Sequence, residues 1–160
     1  MVNEQKNTFQ DPLENYDPPQ YADPLEEALH ERTVSSLQTT PITSVNAAST
    51  VGETMKLMAG HQIACVLVEE DGKLVGVFSD RDVLDRVALE FGEVSGRPVR
   101  DFMTPDPVYV LATDSLARVM VIMAGSGYRH VPVVDADRKP IGIVSPQRMA
   151  SQLTEYLKSQ

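Results

Sequence analysis

From Val34 onward the chain contains an internal repeat: the same order of apolar and polar patterns occurs twice. In each copy a short β-rich run follows a proline, Pro41 or Pro107, and leads into an apolar helical stretch that ends at a glycine, Gly60 or Gly125. A second β-rich run then passes through a turn into a third, which ends at a serine and continues as a helix. The pattern predicts two β-α-β-β-α units and therefore an α/β (α+β) fold.

Local signals support the boundaries of these elements. The segment 66–72 aligns with 132–138, and the pair Asp71-Gly72 is typical of a two-residue hairpin turn between the middle and last strands. Thr50 and Glu53 have the spacing of a capping box in front of the first helix of the repeat. Strand, turn and helix signals thus agree along each copy.

The first 32 residues differ from the repeats in charge and in pattern. They hold eight acidic residues against two basic ones, a net charge of −6, so the other 128 residues carry only −3 of the total of −9. Prolines and the lack of apolar periodicity indicate that the first twenty or so residues are disordered or loosely draped. Asp23 as N-cap and Pro24 as first helical residue then predict a short helix to about Arg32. This segment is either a docking segment for a target or a solubilising tail.

These signals divide the chain into four parts, which are a leader (1–32), a first unit (33–91), a linker (92–98) and a second unit (99–160).

Composition narrows the function. The net charge of −9 argues against nucleic acid as a partner, because that polyanion is bound mainly through Lys and Arg. Cys65 is the single cysteine, so no internal disulfide can form, and the chain has neither a signal-like start nor an apolar run long enough to span a membrane. We therefore expect a soluble, cytoplasmic protein.

Residue chemistry gives no sign of catalysis or of a metal site. The three histidines lie far apart in the sequence, with no spacing to a cysteine or acid that is typical of metal ligands. No Ser-His-Asp, Cys-His or paired-carboxylate arrangement can be placed. We therefore expect a protein that is not an enzyme and holds no metal.

Three segments carry a family resemblance: GVFSDRDVL at 76–84, VRDFMTPDPVYV at 99–110 and YRHVPVVD at 128–135. With them, 34–90 and 99–157 resemble a tandem pair of cystathionine β-synthase (CBS) domains, also called a Bateman module. The resemblance implies two units packed through their small sheets about a pseudo-twofold axis. It also implies two clefts that bind adenosine-containing ligands such as AMP, ADP, ATP or S-adenosylmethionine, usually to regulate an attached or associated protein.

By this resemblance, Gly76, Ser79 and Asp82 mark a ribose site. Asp82 lies three residues after Ser79, and an ionised carboxylate can accept hydrogen bonds from both ribose hydroxyls. The same Ser-x-x-Asp spacing is also close to a capping box, so the two side chains could instead serve the start of a helix. Both interpretations remain open on the sequence alone.

The second copy repeats the serine as Ser145 but has Arg148 where the first has Asp82. A guanidinium has only donors and cannot accept the protons of the ribose hydroxyls. We therefore expect one nucleotide site per chain, centred on Asp82, with the second cleft empty or altered; alternatively, Arg148 attracts a free phosphate there.

The resemblance also implies that basic residues of one copy reach the phosphates of a nucleotide held by the other. Arg129 and His130 stand at those positions, although Arg129 could equally be an exposed or interfacial cation. Thr40 and Ile42 resemble base or ribose contacts of the family, and the apolar residues Ile63, Ala64 and Cys65 are suited to line an adenine pocket.

The stretch 116–124 is apolar almost all round, which favours burial of the helix on more than one side. It predicts a homodimer, in agreement with the resemblance, unless the final helix of the second copy covers it. The sequence thus predicts a non-enzymatic module that binds an adenine nucleotide and passes its occupancy to another, unidentified protein. The alternative is a structural dimerisation module that binds no nucleotide.

Overall fold

The computed structural model describes residues 17–158, and each repeat in it folds as the predicted succession of strands and helices. The elements up to the end of the first repeat are α1 (Pro24–Glu31), β1 (Ser44–Asn46), α2 (Val51–His61), β2 (Cys65–Glu70), β3 (Lys73–Ser79) and α3 (Asp80–Asp82). A π-helical turn (Val83–Val87), a 3-10 turn (Ala88–Glu90) and α4 (Phe91–Val94) follow, so the helix after Ser79 is irregular. The remaining strands and α-helices are β4 (Thr104–Pro105), β5 (Val110–Leu111), α5 (Leu116–Ser126), β6 (Val131–Val134), β7 (Pro140–Val144) and α6 (Pro146–Lys158), and two further 3-10 turns are formed by Val34–Ser36 and Val99–Asp101.

The strands form two small sheets, in the orders β1-β2-β3-β4 and β5-β6-β7. In each sheet the first strand is parallel to the second, and the second is antiparallel to the third. The predicted α/β fold class of two related units is confirmed. Asp71 and Gly72 have φ angles of 51° and 74°, which is the left-handed conformation that a tight hairpin turn requires.

The register of the sheets corrects the alignment of the two copies by one residue. Val68 pairs with Gly76, and Val133 pairs with Gly142, so Val66 corresponds to Val131 rather than to position 132. The second hairpin is one residue longer, because eight residues separate Val133 from Gly142 and seven separate Val68 from Gly76.

The two hydrophobic cores exchange segments between the repeats. Val94, Val99 and Phe102, which lie between the repeats or at the start of the second, are buried in the core of the first unit. Val34 and Leu37, which precede the first strand, are buried in the core of the second. The packing units therefore differ in extent from the sequence repeats.

The helix α1 belongs to the second unit by its contacts. The Asp23 carboxylate accepts hydrogen bonds from the backbone N–H groups of Leu25 and Glu26, which is the cap that the sequence predicts. Ala28 is buried, and α1 contacts both α5 and α6. The segment expected to be disordered lies largely outside the described residues. Within the described part of the chain, every helix is too short or too polar to traverse a lipid bilayer.

A third apolar cluster joins the two units. Leu67 and Leu74 of the first unit pack with Val134 of the second, and Val77 and Ile143 flank this cluster. Val77 and Ile143 each also line a cleft between the repeats. Residues that pack against this third cluster therefore line both clefts.

Candidate functional site

The first cleft lies between the end of β3 and the loop before β6. Ser79, Asp80 and Asp82 line it from the first repeat, and Tyr128 and Arg129 line it from the second. Its volume is about 90 Å³. The cleft thus presents two carboxylates and Arg81 from the first repeat and Arg129 from the second.

Asp82 is buried, at 5% exposure, and its carboxylate is hydrogen-bonded on both oxygens. Oδ2 accepts from the Ser79 backbone N–H at 2.9 Å and from the Ser79 hydroxyl at 2.7 Å. Oδ1 accepts from the Thr104 hydroxyl at 3.0 Å, and Nη1 of Arg86 lies 3.8 Å from it. The helix cap, one of the two interpretations of the sequence, is thus present. Each carboxylate oxygen has about two acceptor sites, so Oδ1, which accepts one hydrogen bond, keeps one acceptor site.

The mouth of the first cleft is spanned by an ion pair between the repeats. Nη2 of Arg129 lies 3.7 Å from Oδ2 of Asp80, and both side chains are more than half exposed. The contact is therefore long and screened by water, and it contributes little to holding the two repeats together. Arg129 remains available to an anion that enters from solvent.

His130 lines both clefts. Burial lowers the pKa of His130 below its ordinary value, and the nearby Asp80 carboxylate opposes this shift. At neutral pH the imidazole is therefore mainly uncharged, so Arg129 rather than His130 supplies positive charge at this point.

The second cleft is the counterpart of the first, with a volume of about 250 Å³. Ser145 and Arg148 line it from the second repeat, and Ile42, Ile63 and Ala64 line it from the first. The Arg148 guanidinium donates hydrogen bonds to the backbone carbonyl of Ile143 at 2.8 Å and to that of Pro41 at 3.3 Å. Through the bond to Pro41, Arg148 connects the start of α6 in the second repeat to the segment before β1 in the first repeat.

Cys65 also lines the second cleft and is buried. Burial raises the pKa of its thiol to about 12. The thiol is therefore protonated near neutral pH and is a poor nucleophile there.

The structure does not bring the nine predicted site residues together. Four of them line the first cleft: Ser79, Asp82, Arg129 and His130. Three line the second cleft, beside Arg148 rather than Asp82: Ile42, Ile63 and Ala64. The grouping of these three with Asp82 is therefore corrected. The reason is that each cleft is lined by the start of the last helix of one repeat and by the residues that precede the strands of the other repeat. Contact of any of these residues with a ligand stays a prediction.

Within the described residues, Gly76 and Thr40 line neither cleft. Gly76 is buried in β3, where an added Cβ would lie 2.2 Å from Sδ of Met103. Glycine at this position is explained by the close approach of Met103. Thr40 is exposed next to the second cleft.

Sequence reasoning missed several residues of the first cleft. The sheet register makes Tyr128 the counterpart of Ile63 and Arg129 the counterpart of Ala64. Tyr128 could have been found by transferring the wall residues of one cleft to the other repeat. Thr104 gave no such signal, since its contact with Asp82 spans 22 residues of sequence.

Comparison with known proteins places this geometry in a family. A model of the CBS domain matches residues 34–89 and again residues 99–155. The CBS domain-containing protein YhcV of Bacillus subtilis is 30% identical over 112 residues, which cover 70% of this chain and 79% of that protein. The CBS domain-containing protein CBSCBSPB1 of Arabidopsis thaliana is 32% identical over 106 residues, or 66% of this chain, and the match spans 20% of that protein's length.

A solved structure has the same architecture. The crystal structure of CBSX2, a protein of Arabidopsis thaliana, in complex with AMP superposes with a TM-score of 0.67 at 28% identity. The superposition covers 77% of this chain and 96% of that one.

Proposed function

The chain belongs to the CBS domain family, as the sequence resemblance predicts, and we propose that it is a non-enzymatic regulatory module that binds one adenosine-containing ligand in its first cleft. The observation that carries this proposal is the buried carboxylate of Asp82, which lies in a cleft whose opposite wall provides Arg129. The complex of CBSX2 with AMP supports the ligand class. AMP, ADP and ATP fit the proposal best, and S-adenosylmethionine belongs to the same class.

Asp82 has a defined task in this proposal. Its Oδ1 atom accepts a ribose hydroxyl while Oδ2 continues to cap the helix through Ser79. A hydrogen bond to a charged group contributes roughly 1.5–3 kcal/mol before desolvation is counted. Val77, Val108 and Tyr128 also line this cleft and offer an apolar surface to the base, which a free phosphate lacks.

The cleft volume of about 90 Å³ is smaller than the roughly 300–1,000 Å³ typical of small-molecule sites, so we expect the cleft to widen when a nucleotide binds. The contact between Arg129 and Asp80 spans the mouth and is weak, so a phosphate can replace Asp80 as the partner of Arg129. Binding would then part the two repeats slightly, which gives a means of passing occupancy to another protein.

A second function is favoured by one observation. The Asp82 carboxylate already accepts three hydrogen bonds within the chain, as a purely structural residue would. In that case the chain is a dimerisation module that binds no nucleotide, and Ser79 and Asp82 serve the helix start alone.

Homodimerisation is part of both functions. On α5, Val121 is 71% exposed and Met120 is 46% exposed, although α1 packs against another side of the same helix. An apolar helix face of this kind is suited to bury itself against a second copy.

A thermal-unfolding panel with AMP, ADP, ATP and S-adenosylmethionine tests the nucleotide function. A ligand present at about 100 times its dissociation constant adds about 2.7 kcal/mol, which raises the Tm of a protein of this size by roughly 5–10 °C. Asp82→Ala is expected to abolish the shift, whereas Asp85→Ala, an exposed acid three residues further along, is expected to keep it. If Asp82→Ala fails to fold, Asp82→Asn takes its place, because it retains the side-chain volume.

The outcomes separate the two functions. Loss of the ligand shift in a folded Asp82 variant supports nucleotide recognition. A parent protein that no compound stabilises, together with a less stable Asp82 variant, favours the structural module.

A further inference from the structure

We propose that Asp80 is a specificity-determining residue that disfavours ligands with more than one phosphate in the first cleft. The proposal rests on the proposed binding of an adenosine compound there and names the class of ligand more narrowly. It assigns to Asp80 a role that is separate from the ribose contact of Asp82.

The Asp80 carboxylate is oriented by a hydrogen bond from the backbone of the next residue. Asp80 is the first residue of α3, and its Oδ1 atom accepts a hydrogen bond from the backbone N–H of Arg81 at 2.8 Å. This bond leaves Oδ2 turned across the cleft, 3.7 Å from Nη2 of Arg129. The carboxylate thus stands beside the cation that a ligand phosphate would use.

The fixed charges of the cleft balance one another. Asp80 and Asp82 contribute two negative charges to its lining, and Arg81 and Arg129 contribute two positive charges. His130 adds little positive charge near neutral pH, because burial disfavours its protonated form. The described lining therefore has no excess of cations with which to neutralise a polyphosphate.

The number of phosphates on the ligand therefore determines whether attraction to Arg129 or repulsion from Asp80 is larger. A single phosphate can share Arg129 with Asp80 or replace it, since Arg129 has further donors and is 64% exposed. Each additional phosphate brings negative charge near Asp80, and Arg81 is the one further cation in the described lining that could meet it. AMP should therefore bind at least as tightly as ADP or ATP.

Isothermal titration of adenosine, AMP, ADP and ATP at low ionic strength and without divalent cations tests this inference. In the parent protein, affinity should not rise from AMP to ATP. Asp80→Asn should raise the affinity for ATP about tenfold, the effect of a change of ~1.4 kcal/mol. It should raise the affinity for AMP less and leave that for adenosine unchanged. Asp71→Asn is the matched control, because it removes the same charge from an exposed turn where φ is positive and Asn is tolerated.

Each result has a definite meaning. A parent that binds ATP more tightly than AMP, or an Asp80→Asn protein whose ratio of ATP to AMP affinity is unchanged, overturns the role of Asp80 and leaves adenosine binding intact. The same ratio change in Asp71→Asn would also overturn it, since net charge alone would then be the cause. If neither parent nor variant binds any of the four compounds, adenosine included, the proposed function fails and the selectivity fails with it.

Discussion

Asp82 and Arg148 occupy equivalent positions in the two repeats, three residues after the serine that precedes each final helix, and their charged groups have opposite kinds of partner. The carboxylate of Asp82 accepts from Ser79 and Thr104, whereas the guanidinium of Arg148 donates to two backbone carbonyls. Each group is therefore integrated into its own cleft. The substitution of a donor for an acceptor makes the two clefts chemically different.

The first prediction concerns the number of ligands per chain. The parent is expected to bind one adenosine ligand, and Arg148→Asp is expected to bind two, because the variant places an acceptor in the second cleft beside the apolar residues Ile42 and Ile63. Isothermal titration with AMP measures the stoichiometry directly.

Arg148→Ala is the control for this change. It removes the hydrogen bonds to Ile143 and Pro41, at a cost of about 1–3 kcal/mol in the free energy of unfolding, but it supplies no acceptor. Its stoichiometry should remain one. Two sites in the parent, or one in a folded Arg148→Asp protein, would contradict the role assigned to Arg148.

Features that depend on neighbouring residues could be predicted from the sequence. Thr50 and Glu53 form both bonds of the capping box, and Asp71-Gly72 makes the turn, because these interactions close within a few residues. The order of strands and helices follows from the same local patterns.

Features that depend on distant contacts could not be predicted. Nothing in Val34 or Leu37 shows that they join the core of the second unit, because an apolar side chain packs equally well on either. The division of the predicted site between two clefts has the same origin: Ile63 faces Arg148 through the packing of the two units, not through a sequence pattern. The single extra residue of the second hairpin also leaves no mark in composition.

The second prediction concerns Gly76, which the sequence groups with the ribose site and the structure places against Met103. Gly76→Ala should lower the free energy of unfolding by roughly 1–3 kcal/mol, the typical effect of overpacking a core, because the new methyl group meets Met103. Urea unfolding measures the change.

The matched control is Gly60→Ala. Gly60 is exposed on α2, and a Cβ there would have no neighbour within 4 Å. This change should stabilise the protein by about 0.5–1 kcal/mol, because alanine restricts the unfolded chain. Equal effects of the two substitutions would contradict the packing explanation for Gly76.

The third prediction is a pH dependence of stability due to His130. Its pKa in the folded protein is below the ordinary 6.5, because burial and the Arg129 and Arg148 guanidinium groups outweigh the opposing effect of Asp80. Below about pH 6.5 the unfolded chain therefore takes up the proton first, so the contribution of this group to stability is present above that pH and is lost as the pH falls. Urea unfolding at pH 7.5 and pH 5.5 should show a smaller loss in His130→Gln than in the parent.

His61→Gln serves as the control for this pH effect, since His61 is exposed at the end of α2. The parent and the His61 variant should lose stability alike on acidification. A loss in His130→Gln as large as that in the parent would show that burial of the imidazole does not set the acid sensitivity.

The last prediction concerns the exposed side of α5. The helix is held on its inner side by Leu116 and Val119, which are fully buried, and its outer side carries Val121 and Met120. Because the inner side already anchors the helix, a charge at Val121 should disturb association without unfolding the unit. We expect the parent to sediment as a dimer at micromolar concentration and Val121→Glu to sediment as a monomer with unchanged circular dichroism, whereas Val121→Ala should remain a dimer with weaker association. A parent that is monomeric under these conditions, or a Val121→Glu protein that remains a dimer, would rule out this face as the interface. In the latter case the exposed Leu84 and Leu89, which follow α3 in the first repeat, become the residues to substitute next.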